Sequence, residues 1–224
     1  MIKTTTLESR LASLREKYAS LLKPQVSDIL ERQLRQLEAD GVLRGVLRVG
    51  DLAPPFELYD SAGSRVSSKD LLAKGPLVLS FFRGTWCPYC NQELLALNEI
   101  DDDIRKAGAT LLVLSPERSE SVEAMRRDHG ITYPILRDAN SAVATLFGLS
   151  YTFSDELKQL YLDTFKTNIA EINGEGGWQL PVPARFIIDT DHRVKYAQAN
   201  PDYRFRPEPA DTLDKLEKLV HPKN

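Results

Sequence analysis

The sequence predicts an α/β domain, a central mixed β-sheet flanked by helices, preceded by a helical extension. Three observations carry that prediction. Two continuous apolar runs of strand length, Leu77 to Phe82 and Thr110 to Ser115, enclose a segment in which Leu94, Leu97, Ile100 and Ile104 recur at helical spacing. Two further runs, Phe186 to Asp189 and Val194 to Ala199, flank the polar turn Thr190 to Arg193 as a hairpin would. Ahead of them, residues 1–48 carry apolar stripes of helical period.

Taken in chain order, Leu7, Leu11, Leu14, Tyr18 and Leu21 stripe a first helix, and Ile29, Leu30, Leu34 and Leu37 a second, broken at Pro24 and ended near Gly41. Those stripes need cover, either from the chain's own sheet or from a second copy in a homodimer. The main domain is then 49–224. Leu77 to Phe82 reads as a central strand buried on both faces. The helix that begins at Cys87 and closes at Gly108 leads to Thr110 to Ser115, so these strands pair in parallel across a βαβ unit. A helix at Ser119 to His129, a strand around Tyr133 to Leu136 and a helix near Asn140 to Phe147 follow. Within 151–180 lies a helical insertion, Ser154 to Asn173, running into the flexible loop Gly174 to Gly177; it either roofs a site or lies on the surface. The last helix spans about Ala210 to Val220.

Composition narrows the function classes. A chain of 224 residues that is 42% hydrophobic can bury a sizeable core. Its longest apolar run falls far short of the ~20 residues of a spanning helix, so no membrane partner is expected. Met1 to Arg10 lacks the apolar stretch of a secretory leader, which makes the cytoplasm the expected location. A net charge of -3, with Lys and Arg spread along the chain, offers no basic field for nucleic acid.

Both cysteines, Cys87 and Cys90, stand in the stretch FFRGTWCPYCN. Two cysteines are too few for a disulfide scaffold, and His129, His192 and His221 supply no paired metal spacing, so no metal is expected. Thiol chemistry remains. Pro88 suits a first helical turn and Thr85 can cap its free amides, which places Cys87 inside that turn. There the helix dipole favours the thiolate and lowers the pKa below the free value of ~8.5. Cys90, one turn on, points to the same side but deeper. Cys87 is the attacking thiol and Cys90 the resolving one.

The segment Val49-Gly50-Asp51 with Ala53-Pro54, Phe56 and Leu58, the turn Arg83-Gly84 with Trp86-Cys87-Pro88 and Cys90, and the stretches Pro181-Val182-Pro183, Phe186 to Asp189 and Asp202-Tyr203-Arg204 with Arg206 together resemble the peroxiredoxin-like branch of the AhpC/TSA family. The resemblance runs from Val49 to the C-terminus. It implies a thioredoxin-like fold, no cofactor, and a cis bond between Val182 and Pro183 facing the redox turn, from which Val182 offers its backbone to a substrate or partner segment. Arg185, on the same strand face as Pro183, could reach the Cys87 side or solvent. The family's usual proline seven residues before the reactive cysteine and threonine three before are replaced here by Ser80 and Gly84. Thr85 and Arg83 are the hydroxyl and cation left to position a peroxide. Each has a plainer alternative: a cap for Thr85, a carboxylate partner for Arg83, simple packing for Trp86, and an ordinary polar loop for Tyr203, Arg204 and Arg206. Tyr89 is expected to be partly exposed.

Three functions stay open at this level. One is a thiol peroxidase that reduces hydrogen peroxide or organic hydroperoxides and is recycled by thioredoxin or glutaredoxin. The second is a thiol-disulfide oxidoreductase acting on protein or glutathione disulfides, which the CPYC spacing favours. The third is a redox-sensing module without turnover.

Overall fold

The computed structural model describes residues 5–60 and 62–221. In chain order they form helices α1 (Leu7–Leu21) and α2 (Pro24–Ala39), a hairpin of β1 (Glu57–Tyr59) and β2 (Arg65–Ser67), and the short helix α3 (Ser68–Leu72). Next come β3 (Leu77–Phe81), α4 (Pro88–Lys106), β4 (Thr110–Ser115), α5 (Ser119–His129), β5 (Ile135–Arg137) and α6 (Ala142–Leu146). The chain continues with β6 (Ser150–Thr152), α7 (Asp155–Asp163), α8 (Ile169–Asn173), β7 (Gln179–Pro181), β8 (Ala184–Ile188), β9 (Val194–Ala199) and α9 (Pro209–Val220).

The central sheet has five strands in the order β5-β4-β3-β8-β9. β3, β4 and β5 run parallel, whereas β8 lies antiparallel to β3 and to β9. Leu79 therefore faces Leu112 across one ladder and Phe186 across the other. Because side chains alternate along a strand, Leu77, Leu79 and Phe81 enter one core with Leu112, Leu114, Phe147 and Phe186. Val78 enters the opposite core with Leu111, Val113, Ile187, Leu94, Leu97 and Leu216. Every residue of β3 is buried, as its unbroken apolar run requires.

The extension does not simply cover the sheet. Leu7 and Leu11 of α1 are buried in the core that holds α4 residues Leu94 and Leu97. The first amides of α1, on Leu7 and Glu8, donate to the carboxylate of Glu208 at the start of α9, at 3.2 and 2.7 Å. α2 instead places Val26 among Phe153, Leu157, Leu160 and Tyr161 of the insertion. Residues of both helices line the cavity that Cys87 also lines.

Some expectations need correction. Asn140 and Ser141 adopt left-handed φ angles of 59° and 48°, so the helix expected from Asn140 starts two residues later, its amides at Val143 and Ala144 held by the Asp138 carboxylate. The loop Gly174–Gly176 is a 3-10 turn. The Val182–Pro183 bond is trans, and the Val182 N–H donates to the Leu149 carbonyl at 2.8 Å, so that N–H is not on offer to a substrate.

Candidate active site

Cys87 and Cys90 are both free thiols at the start of α4, directly after the turn that leaves β3. Cys87 itself is the N-cap of α4, with Pro88 at the first helical position. Thr85 was expected to cap this helix and does not. Its N–H and hydroxyl both donate to the buried carboxylate of Glu117, at 2.6 and 2.7 Å. Burial raises the Glu117 pKa, and the two Thr85 bonds only partly offset this.

A buried guanidinium stands beside each sulfur. Arg83 Nη1 lies 3.9 Å from Cys87 Sγ and its Nη2 donates to the Tyr161 hydroxyl at 3.3 Å. Among the described residues no carboxylate pairs with it; its cation lies over the rings of Tyr203 at 4.1 Å and Trp86 at 4.7 Å. Arg206 Nη2 donates to Cys90 Sγ at 3.3 Å, while its Nε bonds Glu93 at 2.5 Å. The other oxygen of Glu93 accepts from Arg185 at 2.7 Å.

Burial by itself would push the Cys87 thiol up. The hydrogen donated by Cys90, together with Arg83 and Arg206, outweighs that and brings it down to about 6. Cys90 moves the other way, raised first by burial and then because it gives its hydrogen to the Cys87 thiolate. The pair shares one negative charge, carried on Cys87. A thiolate is the nucleophilic form of a cysteine, so these opposite shifts favour Cys87 over Cys90 as the reactive sulfur.

Cys87 is only 1% exposed, yet it lines a cavity of about 420 Å³. Trp86 is there as well, edge-on to Tyr161 with centroids 5.5 Å apart. Gly84 permits that placement: at φ 153°, a Cβ on it would fall 2.2 Å from Trp86 Nε1. Tyr89 is buried rather than partly exposed. Tyr203 and Arg204 line the same cavity, whereas Pro183 lines a different one. Val182 is wholly buried, and Arg185 meets Glu93, Thr212 and the Pro207 carbonyl instead of Cys87 or solvent.

So of the expected residues, Arg83, Trp86, Cys87 and Cys90 come together, and Thr85, Val182, Pro183 and Arg185 neither hydrogen-bond the Cys87 sulfur nor line its cavity. Glu93, Glu117 and Tyr161 were missed by sequence reasoning. Glu93 left a signal: it stands three residues after Cys90 on the apolar stripe of α4, so its charge had to meet a buried cation.

A Cys-x-x-Cys pair at the head of the helix that follows a central strand of such a sheet defines a thiol oxidoreductase of the thioredoxin fold. The chain belongs to the AhpC/TSA family, whose model matches residues 49–197. It is 27% identical over 154 residues to a Mycobacterium tuberculosis protein that carries a provisional peroxiredoxin name, covering 69% of this chain and 86% of that one. It is also 33% identical over 148 residues to the thiol-disulfide oxidoreductase ResA of Geobacillus thermodenitrificans, covering 66% and 67%. Peroxidoxin BcpB of Mycobacterium tuberculosis superposes with a TM-score of 0.59 at 22% identity, over 77% of this chain and 98% of that one. Peroxiredoxin 6 of Arenicola marina gives 0.60 at 21%, over 77% and 73%. Thiol-dependent redox chemistry is common to these names. Among the described residues no helix is long and apolar enough to cross a membrane.

Proposed function

We propose that this protein is a thiol peroxidase in which Cys87 is oxidised by a hydroperoxide and Cys90 resolves the product. The observation that carries this reading is the Arg83 guanidinium, buried beside Cys87 without a carboxylate partner among the described residues, in a cavity where Cys87 is 1% exposed. A small molecule can reach such a sulfur, while a folded protein carrying a disulfide meets a covered one.

The Cys87 thiolate attacks the terminal oxygen of the hydroperoxide. A sulfur–oxygen bond forms, the O–O bond breaks, and the departing alkoxide or hydroxide takes up a proton. Arg83, itself buried, stabilises the negative charge that develops on the departing oxygen. The hydroxyl expected from Thr85 is assigned to Tyr161, which accepts from Arg83 and lines the same cavity. Cys90 then attacks the sulfenic sulfur; the disulfide forms and the oxygen leaves as water with the Cys90 proton. A dithiol of the thioredoxin or glutaredoxin type returns two electrons and two protons, and for that the covering helices must open. We assign the chemistry to the cytoplasm, where such dithiols are kept reduced.

Thiol-disulfide exchange is the second reading, favoured by the ResA relatives and by the Thr85 hydroxyl being turned to Glu117. Reduced protein is to be mixed in separate stopped-flow runs with hydrogen peroxide, an organic hydroperoxide and oxidised glutathione. The peroxidase reading expects one of the peroxides to oxidise Cys87 at least 10 times faster than the disulfide does. Faster reaction with the disulfide would replace it with exchange.

A further inference from the structure

The cavity over Cys87 is far larger than hydrogen peroxide needs. Its volume of about 420 Å³ falls in the range of small-molecule sites and is on the order of ten times the ~30 Å³ share of one water molecule. Its walls are mostly apolar and come from several separate parts of the chain besides the redox turn. Tyr18 and Ala19 belong to α1, Leu22 caps its C-terminal end and Leu30 belongs to α2; Phe165 comes from the insertion. α1 and α2 lie before the segment that matches the AhpC/TSA family, and Tyr203 lies after it. Much of this chamber is therefore assembled by residues outside the segment that matches the family.

The charges around it are nearly all satisfied. Arg204 is paired with Glu31 at 2.6 Å and with Asp202 at 2.7 Å. Arg15 is paired with Glu8 and lies over the ring of Phe205 at 4.4 Å. Arg83, at the floor beside Cys87, is the lining cation with no carboxylate among the described residues, and the thiolate answers its charge. An occupant with carboxylates of its own, such as a glutathione derivative or a fatty acid, would find Arg15 and Arg204 already paired and would meet Glu31 among the described lining residues. An uncharged apolar body would displace water from Leu22, Leu30 and Phe165 at no such penalty.

We infer that the chamber formed by α1, α2 and the insertion binds the apolar body of a bulky, uncharged organic hydroperoxide and presents its O–O bond to Cys87. This rests on the peroxidase reading and deepens it. The hydroperoxide group lies on the floor between Cys87 and Arg83, the organic substituent fills the chamber, and the alcohol left after O–O cleavage departs through the mouth. The two N-terminal helices set substrate preference, while Cys87, Arg83 and Cys90 carry the chemistry.

The test uses the full chain, cumene hydroperoxide as the bulky uncharged probe, and hydrogen peroxide as the small one. Wild-type protein should be oxidised at least 10 times faster by cumene hydroperoxide. Ala19→Trp fills the chamber from α1 and Thr167→Trp fills it from the insertion, so a folding failure in one leaves the other. In each folded variant the ratio of the two rate constants should fall at least fivefold. Independently of turnover, 2-phenyl-2-propanol, the alcohol product, should slow alkylation of wild-type Cys87 severalfold. A wild-type ratio at or below one, a ratio unmoved by both substitutions, or no protection by a saturating amount of the alcohol would overturn the inference while leaving a hydrogen peroxide reductase in place. If neither peroxide oxidises Cys87 and oxidised glutathione does, the peroxidase reading itself falls, and the inference with it.

Discussion

Arg206 donates to the sulfur of Cys90 at 3.3 Å, from a guanidinium already tied to Glu93. Cys90 is the inner thiol, which holds its proton while Cys87 is a thiolate. Once Cys87 carries a neutral sulfenic acid, that repulsion is gone and Arg206 is left as a cation facing a thiol that must ionise to attack. In the proposed cycle Arg83 stands beside the sulfur of the first step and Arg206 donates to the sulfur of the second.

Arg206→Met should therefore slow the resolving step about 10-fold, the effect of losing ~1.4 kcal/mol of transition-state stabilisation. Glu93 keeps Arg185 at 2.7 Å, so the network is not left as a lone charge. A sulfenic-acid-specific reagent should label Cys87 more heavily in the variant after one equivalent of peroxide, and Arg206→Lys should recover part of the rate. Unchanged labelling would reduce Arg206 to packing.

With Cys87 at about 6, its alkylation rate should rise through pH 6 and level off above pH 7. Cys90→Ala removes the hydrogen bond to the thiolate and Arg83→Met removes a cation, so both should move the midpoint upward. The pH–rate curve of iodoacetamide labelling reads this directly, and a midpoint that stays near 6 in both would contradict the assigned causes.

Glu117 carries a pKa raised by burial. An acid with a raised folded-state pKa stabilises the fold least at high pH: that part of the stability is complete below the unfolded value of ~4.3 and is lost as pH rises through the folded one. Glu117→Gln can still accept the Thr85 N–H and donate to its hydroxyl. Thermal melts should show the variant gaining on the wild type as pH is raised from 4 to 7. A difference independent of pH would sink the argument.

Leu11 of α1 is fully buried against the α4 layer. Leu11→Ala should lower the unfolding free energy by ~2–5 kcal/mol, the range for a buried leucine truncation. Urea titration followed by circular dichroism checks it. A loss under 1 kcal/mol would mean that α1 is loosely held and not an integral wall.

The elements of the central sheet were legible where their patterns were long. Thr110–Ser115, Ser119–His129 and Val194–Ala199 fall where periodicity puts them, because a six-residue apolar run or an 11-residue stripe has few alternative structures. The three-residue strands β1, β2, β6 and β7 are too short to show alternation and exist through their ladder partners. The thiol pair was equally legible, since two cysteines with two residues between them at a strand-to-helix turn leave little else to be.

What the amino-acid order determined by itself was local: the strand, the turn, the helix start and the two sulfurs one turn apart, all set by neighbours within a few residues. Only the tertiary structure decided which distant groups face those sulfurs. Thr85 turned away because Glu117, 32 residues on, offered its N–H and hydroxyl a buried carboxylate. Arg185 turned inward because Glu93 is buried on α4 and an ion in a core must be matched. Arg206 reached Cys90 across 116 residues of sequence. Such pairings are fixed by the balance of desolvation against partner charge in the packed interior, and that balance exists only once the chain has folded.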